Sequence, residues 1–221
     1  DLQADDLALD QVEAVAFTGQ MHSAVLLDAA HRVVKPTILW LDRRAAEETE
    51  ELQAQLQLPS YQLNSTYTLP KLLWLSRRRP DIMEQVATIL WPKDYLRFRL
   101  SGTINTDLTE CGGAALLDWG TRTWSQKYLA LTGLDRSVLP PILPAEEVVG
   151  QPLPDIATEL GINPKARIIN GAGDVAALIG GAPPQPGRVV CSRGSSSMTF
   201  MALGPGQEAN DPAGRLYVYP F

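Results

Sequence analysis

Apolar and polar positions alternate near the start of the chain and then give way to an unbroken apolar run. Residues 12–17 begin with alternation and end wholly apolar, which is typical of a strand that enters a core. A polar interruption at residues 18–22 separates this strand from a predicted hairpin around the turn signal at residues 28–32. The apolar residues 37–40 predict a further strand. The first part of the chain therefore predicts strands on both sides of one polar break.

Helical composition follows this strand-rich start. Residues 44–56 are mostly Ala, Glu, Gln and Leu, which predicts a long helix that Pro59 closes. Further helices are predicted at residues 70–79, 81–87, 95–100, 124–131, 155–160 and 175–180. Strands are predicted at residues 88–91, 167–170, 187–191 and 198–201, with a proline-rich connector at 139–144 and a glycine turn at 171–174. Helices mixed with strands, without an internal repeat, predict the α/β class.

Composition and charge narrow the class of protein. The 221 residues are 45% hydrophobic and 20% charged, which excludes a disordered or disulfide-scaffold chain. The net charge of −6 gives no general attraction for nucleic acid or anionic lipid. No apolar run reaches the roughly 20 residues that a membrane helix needs. Cys111 and Cys191 match no metal-ligand spacing and predict free thiols in a cytoplasmic protein.

The strongest candidate for chemistry follows the predicted strand at residues 167–170. Gly171 and Gly173 let the backbone approach a ligand closely, and Asp174 stands at the start of the next helix. A carboxylate at that edge of an α/β sheet can accept a proton from an alcohol or hold a metal ion. Because Asp is also a common N-cap, the pattern alone favours a capping role.

Two further clusters offer groups for a polyhydroxylated ligand. Gln20, Met21 and His22 interrupt the apolar strands with directional donors and acceptors, although a lone His is more often an ordinary surface or core residue. Trp40 and Asp42 end a predicted strand, where Asp42 could bind sugar hydroxyls or form an ion pair at a helix start.

A small-residue loop between the last two predicted strands is a candidate phosphate site. Gly194, Ser195 and Ser196 leave backbone N–H groups free to hold a phosphate, but Gly and Ser also dominate ordinary turns. The chain contains neither a P-loop nor the Gly-x-Ser-x-Gly motif of α/β-hydrolases.

Taken in order, these segments resemble the FGGY carbohydrate kinases. The resembling motifs lie at residues 19–22, 36–40 with Asp42 and Arg44, 70–75, 92–96 with 100–102, 147–150, 171–174 with Ala176 and Ala177, and 194–196. No one motif decides the resemblance, but the ordered set from about residue 12 to residue 200 is hard to obtain by chance.

The resemblance implies a ribonuclease-H-like fold of the actin and hexokinase type, with a mixed sheet flanked by helices. It implies an ATP-dependent sugar kinase in which Asp174 is the base toward the sugar hydroxyl and a ligand of Mg²⁺. The sugar-site residues that it implies are Gln20, Met21, His22, Trp40 and Asp42, and the residues that it implies for the ATP phosphates are Gly194, Ser195 and Ser196.

The implied substrate is a ketopentose, with D-xylulose converted to D-xylulose 5-phosphate as the first choice. Leu41 and Val175 stand where the family usually carries polar or amide side chains, so ribulose, L-xylulose or glycerol stays open, as does a non-catalytic sugar-binding module. The expected partners are a sugar and ATP, without nucleic acid or membrane, and a homodimer stays open.

The resemblance also divides the chain. It implies a sugar-binding domain at residues 1–186 that lacks its first hairpin, and the start of an ATP-binding domain at residues 187–221. We therefore expect a fragment that has little kinase activity by itself.

Overall fold

The computed structural model describes residues 8–58, 63–183, 185–193, 197–204 and 207. Its strands are β1 (Ala14–Gly19), β2 (Val25–Leu27), β3 (Thr88–Leu90), β4 (Thr106–Asp107), β5 (Leu117–Asp118), β6 (Thr123–Trp124), β7 (Ile142–Leu143), β8 (Val148–Gly150), β9 (Arg167–Gly173), β10 (Val189–Arg193) and β11 (Ser197–Met201). Its helices are α1 (Ala46–Leu56), α2 (Thr68–Arg78), α3 (Pro80–Met83), α4 (Pro92–Ser101), α5 (Leu108–Gly113), α6 (Gln126–Ala130), α7 (Pro154–Leu160) and α8 (Asp174–Gly181).

A mixed sheet of three strands, in the order β1-β9-β8, carries the part of the fold that matters most for function. β1 and β9 run parallel, and β8 is antiparallel to β9. The remaining strands of the described residues pair two by two. The predicted strands at residues 12–17 and 167–170 are confirmed, and β9 extends further than predicted, through Gly173.

A β-bulge replaces the turn that the glycines after residue 170 predict. The register between β1 and β9 shifts so that Phe17 faces both Asn170 and Gly171. Gly171 has a φ of +79°, and a Cβ on it would overlap the carbonyl oxygen of Phe17. The predicted turn is therefore wrong, because the positive φ of Gly171 serves a bulge inside a strand that continues to Gly173.

The main core lies beneath α1, α2 and α5. At its centre the indole of Trp91 stacks on that of Trp124, with ring centroids 5.5 Å apart. α2 buries its apolar face, while Arg77 and Arg78 in its last turn form ion pairs with Glu51 and Glu47 of α1. The basic side chains that end α2 thus lie at the protein surface, near the helix C-terminus that favours positive charge.

Several predicted element boundaries are wrong, mostly because of the way the strands pair. Residues 37–40 form no strand, because β2 already pairs with β3 on one edge and with residues 33–34 on the other. The helix predicted at 124–131 is only α6, since β6 pairs with β5, and the connector at 139–144 contains β7, which pairs with β4. The helix predicted at 81–87 ends at Met83 as α3.

The predicted hairpin near residue 190 is confirmed as the antiparallel pair of β10 and β11. Its candidate phosphate loop, residues 194–196, lies outside the described residues. Cys111 and Cys191 are free, as their spacing predicts. Within the described ranges, no helix combines the length and the apolarity that crossing a membrane requires.

Candidate functional site

The chain leaves the sheet after β1 through Gln20 and Met21. Met21 is buried, and its side chain lies between two glycines from distant parts of the sequence. A Cβ on Gly113 would lie 2.5 Å from Met21 Cε, and one on Gly173 would lie 2.6 Å from Met21 Cγ. Met21 therefore lies against both the end of α5 and the end of β9.

His22 follows Met21 in a left-handed backbone conformation, with a φ of 65°. Its ring packs edge-on against Tyr67, with centroids 4.9 Å apart, and its Nδ1 hydrogen-bonds the carbonyl oxygen of Gly113. The pKa of His22 is lowered to about 4, mainly by burial and also by the nearby Lys71 ammonium, while the hydrogen bond to Gly113 opposes the shift. The ring is thus neutral at pH 7. Because a carbonyl only accepts, Nδ1 carries the proton and Nε2 is an acceptor suited to a hydroxyl.

Asp174 is the first residue of α8. The N-cap of that helix is Gly173, so the capping role that the sequence pattern alone favours for Asp174 is wrong. The carboxylate accepts a hydrogen bond from the N–H of Val175 at 2.8 Å. Partial burial raises the pKa of Asp174, although that hydrogen bond opposes the shift. A carboxylate with a raised pKa is a stronger proton acceptor.

Two of the predicted site residues, Met21 and Asp174, come together at one edge of the sheet, and His22 follows Met21 in the chain. Gly19 ends β1 and pairs with Gly173, which ends β9, so both parallel strands finish side by side. Met21 packs on Gly173, and Asp174 follows immediately. Ligands of open α/β sheets bind at the carboxyl ends of the strands, and this edge is such a position.

Lys71 belongs to the same neighbourhood, although sequence reasoning assigns it no role. Its ammonium donates to the carbonyl oxygens of His22 at 3.2 Å and Thr66 at 2.6 Å. Burial lowers its pKa to about 8, while the charge of Asp42 opposes the shift. A lysine inside the apolar run of α2 is the signal that could have identified it, because buried lysines are rare unless they are paired.

Trp40 and Asp42 lie on the loop before α1 and outside any strand. Asp42 binds the Arg44 guanidinium through both oxygens, and that hydrogen bonding lowers its pKa to about 2. Asp42 also lines an open cavity of about 460 Å³, and Trp40 is 39% exposed. The ion pair that the sequence offered as the alternative for Asp42 is present, with Arg44 as the partner. Sugar binding by Trp40 and Asp42 stays a prediction.

A buried network of charged side chains lies behind this edge of the sheet. Its charged members are exposed by 1% or less: Lys93, Asp94, Arg97, Asp107 and Glu110. Two of them are cations and three are carboxyl groups, so one carboxyl group is in excess. Both oxygens of Glu110 are without a hydrogen-bond partner among the described residues.

Sequence reasoning missed this network because it assigned no element to residues 103–113. The available signal was Asp107 two residues before Thr109, an N-cap pattern that marks the start of α5. The polar residues at 105–107 and 109–110 also do not alternate with apolar residues at the spacing of a helix or a strand. Such a spacing would have placed them on an exposed face. Their burial follows from contacts with β9, which lies more than fifty residues later in the sequence.

The chain was compared with known proteins. Residues 2–180 match the N-terminal domain of the FGGY family of carbohydrate kinases. The chain belongs to this family. Xylulose kinase of Escherichia coli is 34% identical over 200 residues, which cover 89% of the chain but 41% of that protein. The chain thus spans less than half the length of this relative.

Solved structures agree in fold and differ in the named sugar. A ligand-bound xylulose kinase from Lactobacillus acidophilus is 25% identical, with a TM-score of 0.85 over 94% of the chain and 44% of that protein. A gluconate kinase from the same organism is also 25% identical, with a TM-score of 0.86 over 94% of the chain and 43% of that protein. These matches confirm the predicted α/β fold of the ribonuclease-H-like, actin and hexokinase type.

Proposed function

We propose that this FGGY chain forms the sugar-binding side of an ATP-dependent kinase that phosphorylates a ketopentose, with D-xylulose as the first candidate. The observation that carries the proposal is that Met21, which the neutral His22 follows, packs on Gly173 directly before Asp174, at the carboxyl ends of β1 and β9. The similarity to xylulose kinases supports the choice of sugar.

Asp174 would act as the general base. Its carboxylate takes the proton of the reacting hydroxyl as that oxygen bonds to the γ-phosphorus of ATP, and the bond from the γ-phosphorus to the bridging oxygen breaks to release ADP. Positioning and charge stabilisation carry most of the rate of such a transfer. A base of this kind typically contributes about 10²- to 10⁴-fold.

His22 and Met21 would orient the sugar. The unprotonated Nε2 of His22 can accept a hydrogen bond from a hydroxyl, and the buried Met21 closes the apolar side of the site. Gln20, Trp40 and Asp42 complete the proposed sugar-binding set. Of these, Asp42 has its charge committed to Arg44, so it would accept sugar hydroxyls through oxygens that Arg44 already shares.

Mg²⁺ fits this site only if water and the substrate phosphates supply most of its ligands. Within the described ranges, no three His, Cys, Asp or Glu side chains are grouped to hold a metal ion. Mg²⁺ commonly takes one or two carboxylates together with water and substrate phosphates, so Asp174 alone is a sufficient protein ligand. The ion would neutralise charge on the transferring phosphoryl group.

The proposal assigns residues 1–186 to the sugar-binding domain and 187–221 to the beginning of the ATP-binding domain. Residues 194–196 would contact the phosphates from the loop between β10 and β11. Because only the beginning of the ATP-binding domain is assigned to this chain, ATP-dependent phosphorylation should be measured on the full-length protein that carries it.

Asp174→Asn is the first test. We expect the variant to lose turnover by at least about 100-fold, because the amide cannot take the proton, while sugar binding survives. Steady-state kinetics measures the first effect, and thermal shift of the protein with D-xylulose, ribulose, L-xylulose and glycerol measures the second. The sugar with the largest shift identifies the substrate class.

The same panel contains the outcomes that would contradict the proposal. Unchanged turnover in Asp174→Asn would exclude Asp174 as the base. A sugar response in wild type without any phosphorylation would favour the non-catalytic sugar-binding module. A response to glycerol but to none of D-xylulose, ribulose and L-xylulose would reject a ketopentose as the substrate.

A further inference from the structure

The carboxylate of Asp174 is oriented mainly by its own backbone. It accepts a hydrogen bond from the Val175 N–H, and no side chain of the described residues donates to it. Asp174 is also the first residue of α8, so its direction depends on where β9 ends. Whatever fixes Gly173 therefore fixes Asp174.

The side chain of Thr109 holds Gly173. The N–H of Gly173 donates to Thr109 Oγ1 at 3.0 Å. The single hydroxyl hydrogen of Thr109 goes to Asp107 Oδ2, which also accepts from the Thr109 N–H at 2.8 Å. With its hydrogen committed to Asp107, the Thr109 oxygen can only present a lone pair to Gly173.

Asp107 is in turn fixed by a buried ammonium group. Lys93 Nζ lies 2.9 Å from Asp107 Oδ1 and 2.6 Å from Asp94 Oδ1, and all three side chains are buried. Burial by itself would lower the pKa of Lys93, but the surrounding carboxyl groups, Asp94 first, reverse this and raise it. The ammonium therefore stays charged and holds Asp107 in one place.

The network also holds β9 at a second point. Arg97 donates through Nη1 to Asp94 at 2.8 Å and to the side-chain oxygen of Asn170 at 2.7 Å. Asn105 donates to the same Asn170 oxygen at 2.7 Å. β9 is thus held within the bulge, at Asn170, and at its carboxyl end, at Gly173.

We propose that Thr109 is a positioning residue for Asp174, because its hydroxyl carries the rigidity of the Lys93–Asp107 pair to the end of β9. The inference rests on the proposed function, in which Asp174 is the base. The buried network would then affect the rate of phosphoryl transfer and not the affinity for the sugar. A displacement of about 1 Å at a reacting group can lower a rate by about 100-fold.

Thr109→Val tests this inference, because it keeps the shape of the side chain and removes the hydroxyl. In the full-length protein we expect kcat to fall by about 10- to 100-fold while KM for the sugar changes by less than about threefold. Thr109→Ser keeps a hydroxyl and should recover most of kcat. Thr132→Val is the matched control, since Thr132 is equally buried and donates to the Leu129 carbonyl at 2.7 Å, away from β9.

A kcat for Thr109→Val that equals the kcat of Thr132→Val would overturn the inference, provided that Asp174→Asn is inactive. Full activity of Asp174→Asn would overturn both the inference and the proposed function. If Thr109→Val does not fold, hydrogen exchange of the wild-type protein tests the inference instead. Slow hydrogen exchange of the Gly173 amide would support its bond to Thr109, and fast exchange would contradict it.

Discussion

At the scale of single residues, Glu110 is the most unusual group in the protein. It is fully buried, and its carboxyl oxygens have no hydrogen-bond partner in the described part of the chain. Burial raises its pKa well above the usual value, with smaller contributions from Asp94, Asp107 and Asp174, while Lys93 opposes the shift. In the folded protein, burial therefore favours the uncharged form of the excess carboxyl group of the network.

Glu110→Gln should stabilise the protein, and increasingly so as the pH rises. Because the pKa of Glu110 is raised by folding, the folded protein keeps a proton on this group at pH values where the unfolded chain has lost it. Wild-type stability then falls with rising pH by up to about 1.4 kcal/mol per unit, from the unfolded pKa up to the folded one. Gln removes this dependence, and urea unfolding between pH 5 and pH 8 measures it.

The exposed Glu50 on α1 provides the control for this experiment. Glu50→Gln removes the same charge from the surface and should leave the pH dependence of unfolding unchanged. Glu110→Gln and wild type with parallel stability curves over this pH range would show that Glu110 is charged in the folded protein.

At the scale of elements, β9 is both a strand of the central sheet and the element that carries the candidate site. Its bulge at Gly171 lets Asn170 reach the buried network while Gly173 meets Met21 and Thr109. Strand existence was predictable from the apolar run, but the bulge was not. A glycine pair after a strand fits a turn and a bulge equally well, and only the position of the Phe17 carbonyl decides between them.

Gly171→Ala should destabilise the protein by more than about 2 kcal/mol, because the added Cβ meets the Phe17 carbonyl and φ is positive. Gly180→Ala, within α8, is the matched control, since a Cβ there has no atom within 4 Å. It should leave stability unchanged or raise it by up to about 1 kcal/mol. Chemical denaturation compares the two, and a Gly171→Ala variant as stable as wild type would disprove the bulge geometry.

At the scale of the whole molecule, burial is distributed unevenly. β9 contains the buried Ile168, Asn170 and Gly173, whereas no residue of β10 or β11 is buried. Elements with few buried contacts open more readily than elements inside a core. The sheet that contains β9 and the β10–β11 hairpin should therefore differ in local stability.

Hydrogen exchange of the chain by itself should show this difference. We expect the bonded amides of the β10–β11 hairpin to exchange at least about 100-fold faster than those of β9, because each tenfold corresponds to about 1.4 kcal/mol of opening free energy. The β1–β9 pair serves as the internal reference. Equal protection in both pairs would mean that other contacts stabilise the hairpin.

The sequence predicted the α/β fold and the place of Asp174 at the carboxyl end of a strand, where ligands of α/β sheets bind. Only the resemblance to the family implied that Met21 and His22 belong to the same site. It did not predict the roles of Lys71, Thr109 and Glu110. Their positions depend on contacts between segments far apart in the chain, and the local signals at Lys71 and Asp107 do not show which distant groups those segments meet.

Met21 also restricts how this sequence can change over time. Its side chain fills the space beside both Gly113 and Gly173, so a larger residue at either glycine collides with it. A shorter side chain at position 21 would remove the collision but leave a gap against the other glycine. These three positions form one unit for mutation, in which an accepted change at one member requires a compensating change at another.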